Sequence, residues 1–471
     1  MPRLAILFNT LERIMNELKQ HYEKIQSKAL KDFLTFLSFQ SISTDPQYKQ
    51  QVCACADWLT QEIKKIGFLV EQWSTNGHPV LFATNLEAGP DKPTLLIYNH
   101  YDVQPVDPES EWDTPPFEPS QRHGEIYARG AQDNKGQCFY VLQALKYFAD
   151  KKIKLPINIK WIIEGEEESG STGLSHLLEE KKRQEQLKAD YLVIVDMGIP
   201  NLQSPAITLG VRGLVTMEVR VQGSKGDMHS GSHGGIVYNP LHALVEILSK
   251  LRTPDGKVNI PGFYSDVQEM SAEDKQHVSF DFNVEEYENM FHTKATGGEK
   301  GYSPHERAWI RPTLEINGIN GGYGGAGFKT VLPGSAIAKV SCRLVPNQDP
   351  NKIGMLVANQ IKKLAPEGVK VDVHLYPGMG LACRAKPDSK VAKAFSKAYE
   401  ELFQKPCKNI YDGGSIPIAA KLAKASGSEL ILMGFGLPDD QIHAPNEHFG
   451  IDRLEKGFCV MVRAIELLGK K

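Results

Sequence analysis

No run of about 18 consecutive apolar residues occurs in this chain, so the sequence offers no membrane-spanning helix. The start, Met1 to Glu12, has only a brief apolar run, Leu4 to Phe8, and no small-residue cleavage site follows it. A secretory signal is not expected there, and Met15 is an alternative start. Charge of one sign is not in excess. The 54 Lys and Arg residues stand against 57 Asp and Glu, a net charge of −3, so neither nucleic acid nor an anionic membrane is expected as a partner. Paired cysteines are lacking as well. The seven, Cys53, Cys55, Cys138, Cys342, Cys383, Cys407 and Cys459, are odd in number and scattered. That speaks against a disulfide scaffold and fits reduced thiols in a cytoplasmic protein. Cys53 and Cys55 are spaced poorly for metal ligation and read as plain helix residues. There is no internal repeat and no low-complexity tract. What remains is an ordinary globular composition, 41% hydrophobic over 471 residues, enough for two or three domains.

Leu11, Ile14, Met15, Leu18 and Tyr22 recur at helical spacing and predict a helix from about 11 to 38. A second passes through Trp58, Leu59, Ile63 and Ile66 and is closed by Gly67. Strand-like runs follow at Val80 to Asn85, Thr94 to Asn99, Ile157 to Ile163 and Tyr191 to Val195, with a helix over Lys135 to Asp150. Almost wholly apolar strands alternating with helices predict an α/β domain, its mostly parallel sheet flanked by helices. Near residue 213 the pattern changes. Val215 to Val221 and Ala336 to Leu344 alternate apolar with polar residues, as half-exposed antiparallel strands do. With a strand at Val369 to Leu375 and helices at Leu241 to Leu251 and Ile353 to Leu364, they predict an α+β domain. The helix–strand rhythm returns near 386, through Val391 to Phe403, Ile416 to Ala425 and Glu429 to Gly434. The expected organisation is an α/β domain of residues 1–212 and 386–471, interrupted by an inserted α+β domain at 213–385. Residues 254–312 form a long excursion within the insert.

In an open α/β sheet, sites form at the carboxyl ends of the strands. Four of the predicted strands run straight into metal-ligand residue types: His100 and Asp102, the Glu164–Glu168 cluster, Asp196, and, after a short loop, His443. Asp133 sits just before a helix. Imidazole with carboxylate is a usual zinc donor set in hydrolases. Two ions about 3.5–4 Å apart need a bridging carboxylate and further ligands for each. Taken singly, each element has a bland reading: a structural H-x-D loop, a solvated acidic face, a helix-capping aspartate. Their conjunction at strand ends is what points to a metal site.

The ordered motifs are NHYDVQP (99–105), WDTPPFEP (112–119), IYARGAQDNKG (126–136), EGEEESGS (164–171), VDMG (195–198), GDMHSGSHGG (226–235), SCRLVP (341–346), GGSIP (413–417) and IHAPNE (442–447). Together they resemble the metallopeptidase family of carnosine and cysteinylglycine dipeptidases, aminoacylase and bacterial carboxypeptidase G, over nearly the whole chain. The long insert and GGSIP resemble the dipeptidase branch. The resemblance implies two divalent metal ions per subunit, zinc first, with manganese or cobalt also accepted by such donors. It makes His100 and Asp196 ligands of one ion, Glu168 and His443 ligands of the other, and Asp133 the bridge, followed by a cis peptide. Asp102 would support the His100 ring, and Glu167 would be the general base. Spacing alone leaves the choice among the clustered glutamates open. Glu167 and Glu168 are expected to point to opposite sides of an extended segment, with Glu166 a bystander. The first domain becomes catalytic, and the insert becomes a lid and dimerisation domain. Through it His229 of a homodimer would reach the partner's site and stabilise an oxyanion. Arg343 would fork onto a substrate carboxylate, with Thr330 and Ser415 as hydroxyl donors. The Gly-rich run 318–327 lacks the setting of a phosphate loop and reads as a mobile loop near substrate or a plain connector. His78, His233 and His448 read as structural.

The implied function is hydrolysis of a peptide bond in dipeptides or short peptides with a free carboxyl terminus, by metal-activated water and a glutamate base. The alternatives are a deacylase of N-acyl or N-succinyl amino acids, or an inactive peptidase-like binding domain. The second is disfavoured because every ligand and the glutamate pair are present.

Overall fold

The computed structural model describes residues 2–470, with side chains from Arg13 onward. The side chains of Leu4 to Phe8 and Leu11 lie outside the described residues. The chain divides into two compact units. One comprises Met1–Gly210, Arg384–Ile410 and Lys421–Lys471, and the other Val211–Cys383 and Tyr411–Ala420. The sequence reading kept the short segment Tyr411–Ala420 with the first unit.

The first unit is built on a nine-stranded sheet. Asn158–Glu164, Thr94–His100, Tyr191–Gly198 and Glu429–Gly436 are neighbours in that order and run parallel. Val80–Asn85 and Leu69–Trp73 extend one side, antiparallel, and Ala206–Val211 pairs antiparallel on the other. Consecutive residues Leu95, Leu96, Ile97 and Tyr98 are all fully buried. Neither face of the strand meets water, which is why these strands carry no alternation. Fully burying such a side chain contributes about 1.5–3 kcal/mol. Lys135–Asp150 packs against Thr94–His100, Tyr191–Gly198 and the helix Ile451–Leu468. The parallel direction brings His100, Glu164 and Asp196 to one end of the sheet, and register sets His100 directly opposite Glu164.

The second unit holds a four-stranded antiparallel sheet in the order Thr313–Gly321, Ser335–Leu344, Gly213–Gln222, Lys370–Leu375. Alternate residues Val215, Met217, Val219 and Val221 enter a core with Leu244, Ile247, Ile353 and Val357 from the helices Pro240–Ser249 and Pro350–Lys363. Each helix starts the same way. An Asx side chain, Asn239 or Asp349, accepts a backbone N–H inside the first turn, and proline follows at the first helical position. The Gly-rich run departs from its expected form: Gly318–Gly321 ends the edge strand Thr313–Gly321, past a bulge at Ile316/Gly318. The bulge and its glycines hid the strand from pattern reading. Among the described residues, no helix is long and apolar enough to cross a membrane.

Candidate metal centre

Two groups of potential ligands converge in the first unit, His100–Asp133–Asp196 and Asp133–Glu168–His443, and Asp133 belongs to both. His100 ends the strand Thr94–His100 and is fully buried. Its Nε2 lies 3.1 Å from Asp133 Oδ1 and 3.6 Å from Asp196 Oδ1. Its Nδ1 donates to the Asp102 carbonyl at 3.1 Å, with Asp102 Oδ1 at 3.4 Å. Two acceptors on that side keep the proton on Nδ1 and turn Nε2 toward the carboxylates.

Asp133 precedes the helix Lys135–Asp150, and the Asp133–Asn134 peptide is cis. Its second oxygen, Oδ2, lies 3.0 Å from His443 Nε2. The carboxylate therefore faces one imidazole with each oxygen. His443 Nε2 is also 3.3 Å from Glu168 Oε2. Asn134 holds Asp196 by donating Nδ2 to its Oδ1 and to the Val195 carbonyl, and Asn99 Nδ2 donates to Asn134 Oδ1 at 2.7 Å.

The glutamate segment corrects one expectation. Glu167–Ser169 is a single 3₁₀ turn, not an extended stretch. The cause is Asp102, whose carboxylate accepts the successive backbone N–H groups of Glu167 (3.2 Å) and Glu168 (3.0 Å) and curls the chain around itself. Asp102 thus serves the turn as much as the His100 ring. Gln104 Nε2 donates to Glu168 Oε2 at 2.8 Å, while Glu168 Oε1 is buried without any donor. Glu166 faces Thr75 instead, 3.3 Å from its hydroxyl.

The charges are frustrated. Burial, with the nearby Asp133, raises the Glu168 carboxyl to about 7, and burial raises Asp196 to about 6. Burial and the charges of Glu168, Asp196 and Asp133 push Glu167 well above its usual range, against the pull of His100. Burial opposes charge on Asp133 too, but hydrogen bonds from His100 and His443 hold it well below the ordinary value. Hydrogen bonds to Asp133 and Glu168 raise His443 to about 11. Burial disfavours a second proton on His100, yet Asp196 and hydrogen bonds to Asp102, Asp133 and Asp196 raise it strongly. A cluster that must take up protons to keep its acids together, and that leaves a buried carboxylate oxygen without a donor, fits cations. Its imidazole and carboxylate donors suit zinc, manganese or cobalt.

One residue escaped the sequence reading. Glu447, fully buried, accepts from Arg129, Gly130, Gln132 and Asp133. A single acid in IHAPNE gave no sign of this beyond its position four residues after His443. The remaining candidates belong to the second unit. Arg343 Nη1 donates to Ser415 Oγ at 2.8 Å, and burial lowers the Arg343 pKa. Met228–His229 pairs with Val331–Leu332, and the Thr330 carbonyl accepts from Ser230 N–H at 3.1 Å, so His229 and Thr330 are neighbours and both exposed. His78 bonds the Ser43 carbonyl, and His448 stacks on Tyr127.

Residues 96–467 match the model of peptidase family M20/M25/M40. The chain is 31% identical over 469 residues to a Cys-Gly metallodipeptidase of Schizosaccharomyces pombe, covering 94% of this chain and 97% of that one. It is 30% identical to the human Beta-Ala-His dipeptidase, over 93% of this chain and 88% of the relative. Among solved structures, an M20 family metallo-carboxypeptidase from Sulfolobus solfataricus superposes with a TM-score of 0.84 at 34% identity, over 94% of this chain and 99% of that one. The metal-ligand types at the sheet's end, the inserted antiparallel unit and these likenesses agree: the chain belongs to peptidase family M20/M25/M40.

Proposed function

We propose that the protein is a metal-dependent dipeptidase that hydrolyses the peptide bond of dipeptides and very short peptides bearing a free carboxyl terminus. The observation that carries this is the sharing of Asp133 between two ligand groups, with Glu167 in charge contact with members of both. His100, Asp133 and Asp196 would hold one divalent cation, and Asp133, Glu168 and His443 a second. Zinc is the first choice, with manganese and cobalt compatible with the same donors. Such ions, when bound, polarise the scissile carbonyl and acidify a water. Glu167 takes the proton of the attacking water at its carboxylate and delivers it to the departing amine. The upward push on its pKa supports this role, because a base that returns its proton works best near the operating pH. Asp102 keeps the His100 ring oriented and the Glu167–Glu168 turn closed. In the inserted domain, Arg343 with Ser415 receives the substrate carboxylate. The half-buried guanidinium supports this, since charge-assisted hydrogen bonds strengthen away from water. His229, aided by Thr330, stabilises the oxyanion from a second subunit.

That last role needs a homodimer through the inserted domain. The edge strand Thr313–Gly321 supports it, because Ile316, Ile319 and the nearby helix residue Val245 are exposed beside an unpaired strand edge. A cytoplasmic setting is supported by seven free cysteines. The substrate class rests on the names of the relatives, Cys-Gly and Beta-Ala-His dipeptidases. A second reading, trimming of one residue from the carboxyl end of longer peptides, is favoured by the likeness to the metallo-carboxypeptidase.

The test is hydrolysis of Cys-Gly, Ala-Gly, β-Ala-His, tripeptides and acetyl-amino acids, with added zinc or manganese and with chelator. Dipeptide cleavage that chelator abolishes and Glu167→Ala lacks supports the proposal. Faster cleavage of longer peptides moves it to the second reading. Turnover of acetyl-amino acids alone refutes it in favour of a deacylase.

A further inference from the structure

Glu447 carries no ligating oxygen, yet both its oxygens are used on one short segment. Oε2 accepts from Arg129 Nη1 (2.9 Å) and Gly130 N–H (2.8 Å). Oε1 accepts from the N–H groups of Gln132 and Asp133, each at 3.0 Å. The Glu447 carbonyl accepts from Ala128 N–H at 3.0 Å. Arg129 is itself 1% exposed and passes Nη2 to the Pro105 carbonyl at 2.9 Å. One position earlier, the Asn446 side chain accepts from Asp113 N–H and donates to the Glu111 carbonyl. The segment that bears His443 is thereby joined, through one carboxylate, to the segment that bears Asp133.

This junction matters because His443 lies outside the central sheet. Its side chain is 51% exposed, where His100 is fully buried. The backbone around it is strained: Gln441, His443 and Asn446 have φ of +57°, +60° and +63°. Left-handed non-glycine residues cost about 1–3 kcal/mol each and persist only where the surroundings over-determine them. The surroundings here are Asp440 on one side, tied to Arg453 and the Leu437 N–H and accepting from His448 N–H, and the hydrogen bonds of Asn446 and Glu447 on the other. His100 and Asp196, by contrast, sit in strands of the central sheet, and Asn134 is tied to Asn99 and Val195.

We propose that Glu447, with Arg129, is a positioning residue that sets His443 against Asp133, and so governs occupancy of the Asp133–Glu168–His443 group while the His100–Asp133–Asp196 group depends on it far less. The inference rests on the reading that these groups hold metal. It separates Glu447 from an ordinary buried ion pair, which is weak ground for anything but folding. Such a pair exists in the same unit. Arg463 and Glu401 join the helices Ile451–Leu468 and Lys390–Phe403, both buried, 2.5 Å apart, with no bond to a ligand segment.

The experiment titrates Zn²⁺, against a chromogenic chelator, into metal-free full-length wild type, His443→Ala, Glu447→Gln and Glu401→Gln. Thermal unfolding of the metal-free forms reports the purely structural loss, expected in both buried-pair variants. Wild type takes two ions, and His443→Ala takes one. Glu447→Gln keeps the first ion and binds the second roughly 10–100-fold more weakly, the usual range for residues that support ligands. Glu401→Gln binds both as wild type does. Arg129→Lys keeps the charge and gives up the bond to Pro105, so it carries the same test with less risk to folding. It should weaken the second ion to an intermediate degree. Wild-type affinity for both ions in Glu447→Gln and Arg129→Lys overturns the inference, as does an equal loss in Glu401→Gln. If wild type takes two ions and His443→Ala one, such a result condemns only the role of Glu447. If wild type takes none, the metal reading falls and this inference with it.

Discussion

On the proposed reading, filling the site with metal expels protons, and the groups around it set the direction in which pH acts. In the metal-free protein at pH 7, His443, raised to about 11, holds a proton on the nitrogen that faces Asp133 and Glu168. Against its burial, His100 is raised well above its ordinary value by Asp196 and its hydrogen bonds, and burial with the neighbouring carboxylates raises Glu167. Glu168, at about 7, is half protonated, and Asp196, at about 6, is mostly ionised. Ligands must give up protons to coordinate, so loading both groups should release more than one proton. The sign follows: the loaded form carries fewer protons, so raising the pH favours loading and acidification opposes it. Near neutrality the overall affinity should climb by more than about one decade per pH unit. Calorimetric titration with Zn²⁺ in two buffers of different ionisation enthalpy measures the release directly. The sharpest variant is Glu167→Gln, which removes an acid raised by burial without removing a proposed ligand. A release of one proton or fewer in wild type, or an unchanged release in Glu167→Gln, would refute the electrostatic account.

Glu167→Gln should also lower kcat by about 10²–10⁴-fold, the usual share of a general base, while chelator titration still finds two ions. Arg343→Ala should lower kcat/KM about 10–100-fold for free dipeptides, matching a lost charge-assisted bond of about 1.5–3 kcal/mol. Amidated dipeptides, compared in the same assay, should show no such loss. Ile319→Glu should dissociate the proposed dimer, read as a halved mass by light scattering. Gly434→Ala should lower stability by about 1–3 kcal/mol or more in thermal unfolding. A Cβ there would lie 1.7 Å from the Met197 carbonyl oxygen and 2.4 Å from Gln137 Oε1.

The candidate ligand residues were legible because coordination demands particular side chains, and a parallel sheet delivers them at strand ends. His100, Asp133, Asp196, Glu168 and His443 each have a chemistry that residue type alone suggests. Glu447 has none, since its work is to accept backbone amides, a task any buried acceptor could do and no pattern announces. The helices Pro240–Ser249 and Pro350–Lys363 carry a one-sided apolar stripe and an Asx-Pro start, and both were readable. The C-terminal helix Ile451–Leu468 was equally legible, since Ile451, Leu454, Phe458, Met461, Ile465 and Leu468 recur at helical spacing, yet it was not among the expected elements. Ala206–Val211, by contrast, is hidden. A single residue, Arg212, separates it from the next strand, so no turn signal marks where one sheet ends and another begins. The 3₁₀ turn at Glu167–Ser169 depends on Asp102, a partner 65 residues away that local propensity cannot register.

The order in which the ligands occur along the chain has a bearing on biosynthesis. The group His100–Asp133–Asp196 is complete once residue 196 has been made, before the inserted domain exists. The group Asp133–Glu168–His443 waits for residue 443, after the whole insert has emerged. Chains generally fold in the order they leave the ribosome. On the proposed reading, a nascent chain could seat a first cation on a partial sheet, while a second would wait for the strand Glu429–Gly436 and for His443. Stalling between the two points would leave that second group unfinished, with Asp133 and Glu168 made and His443 still missing.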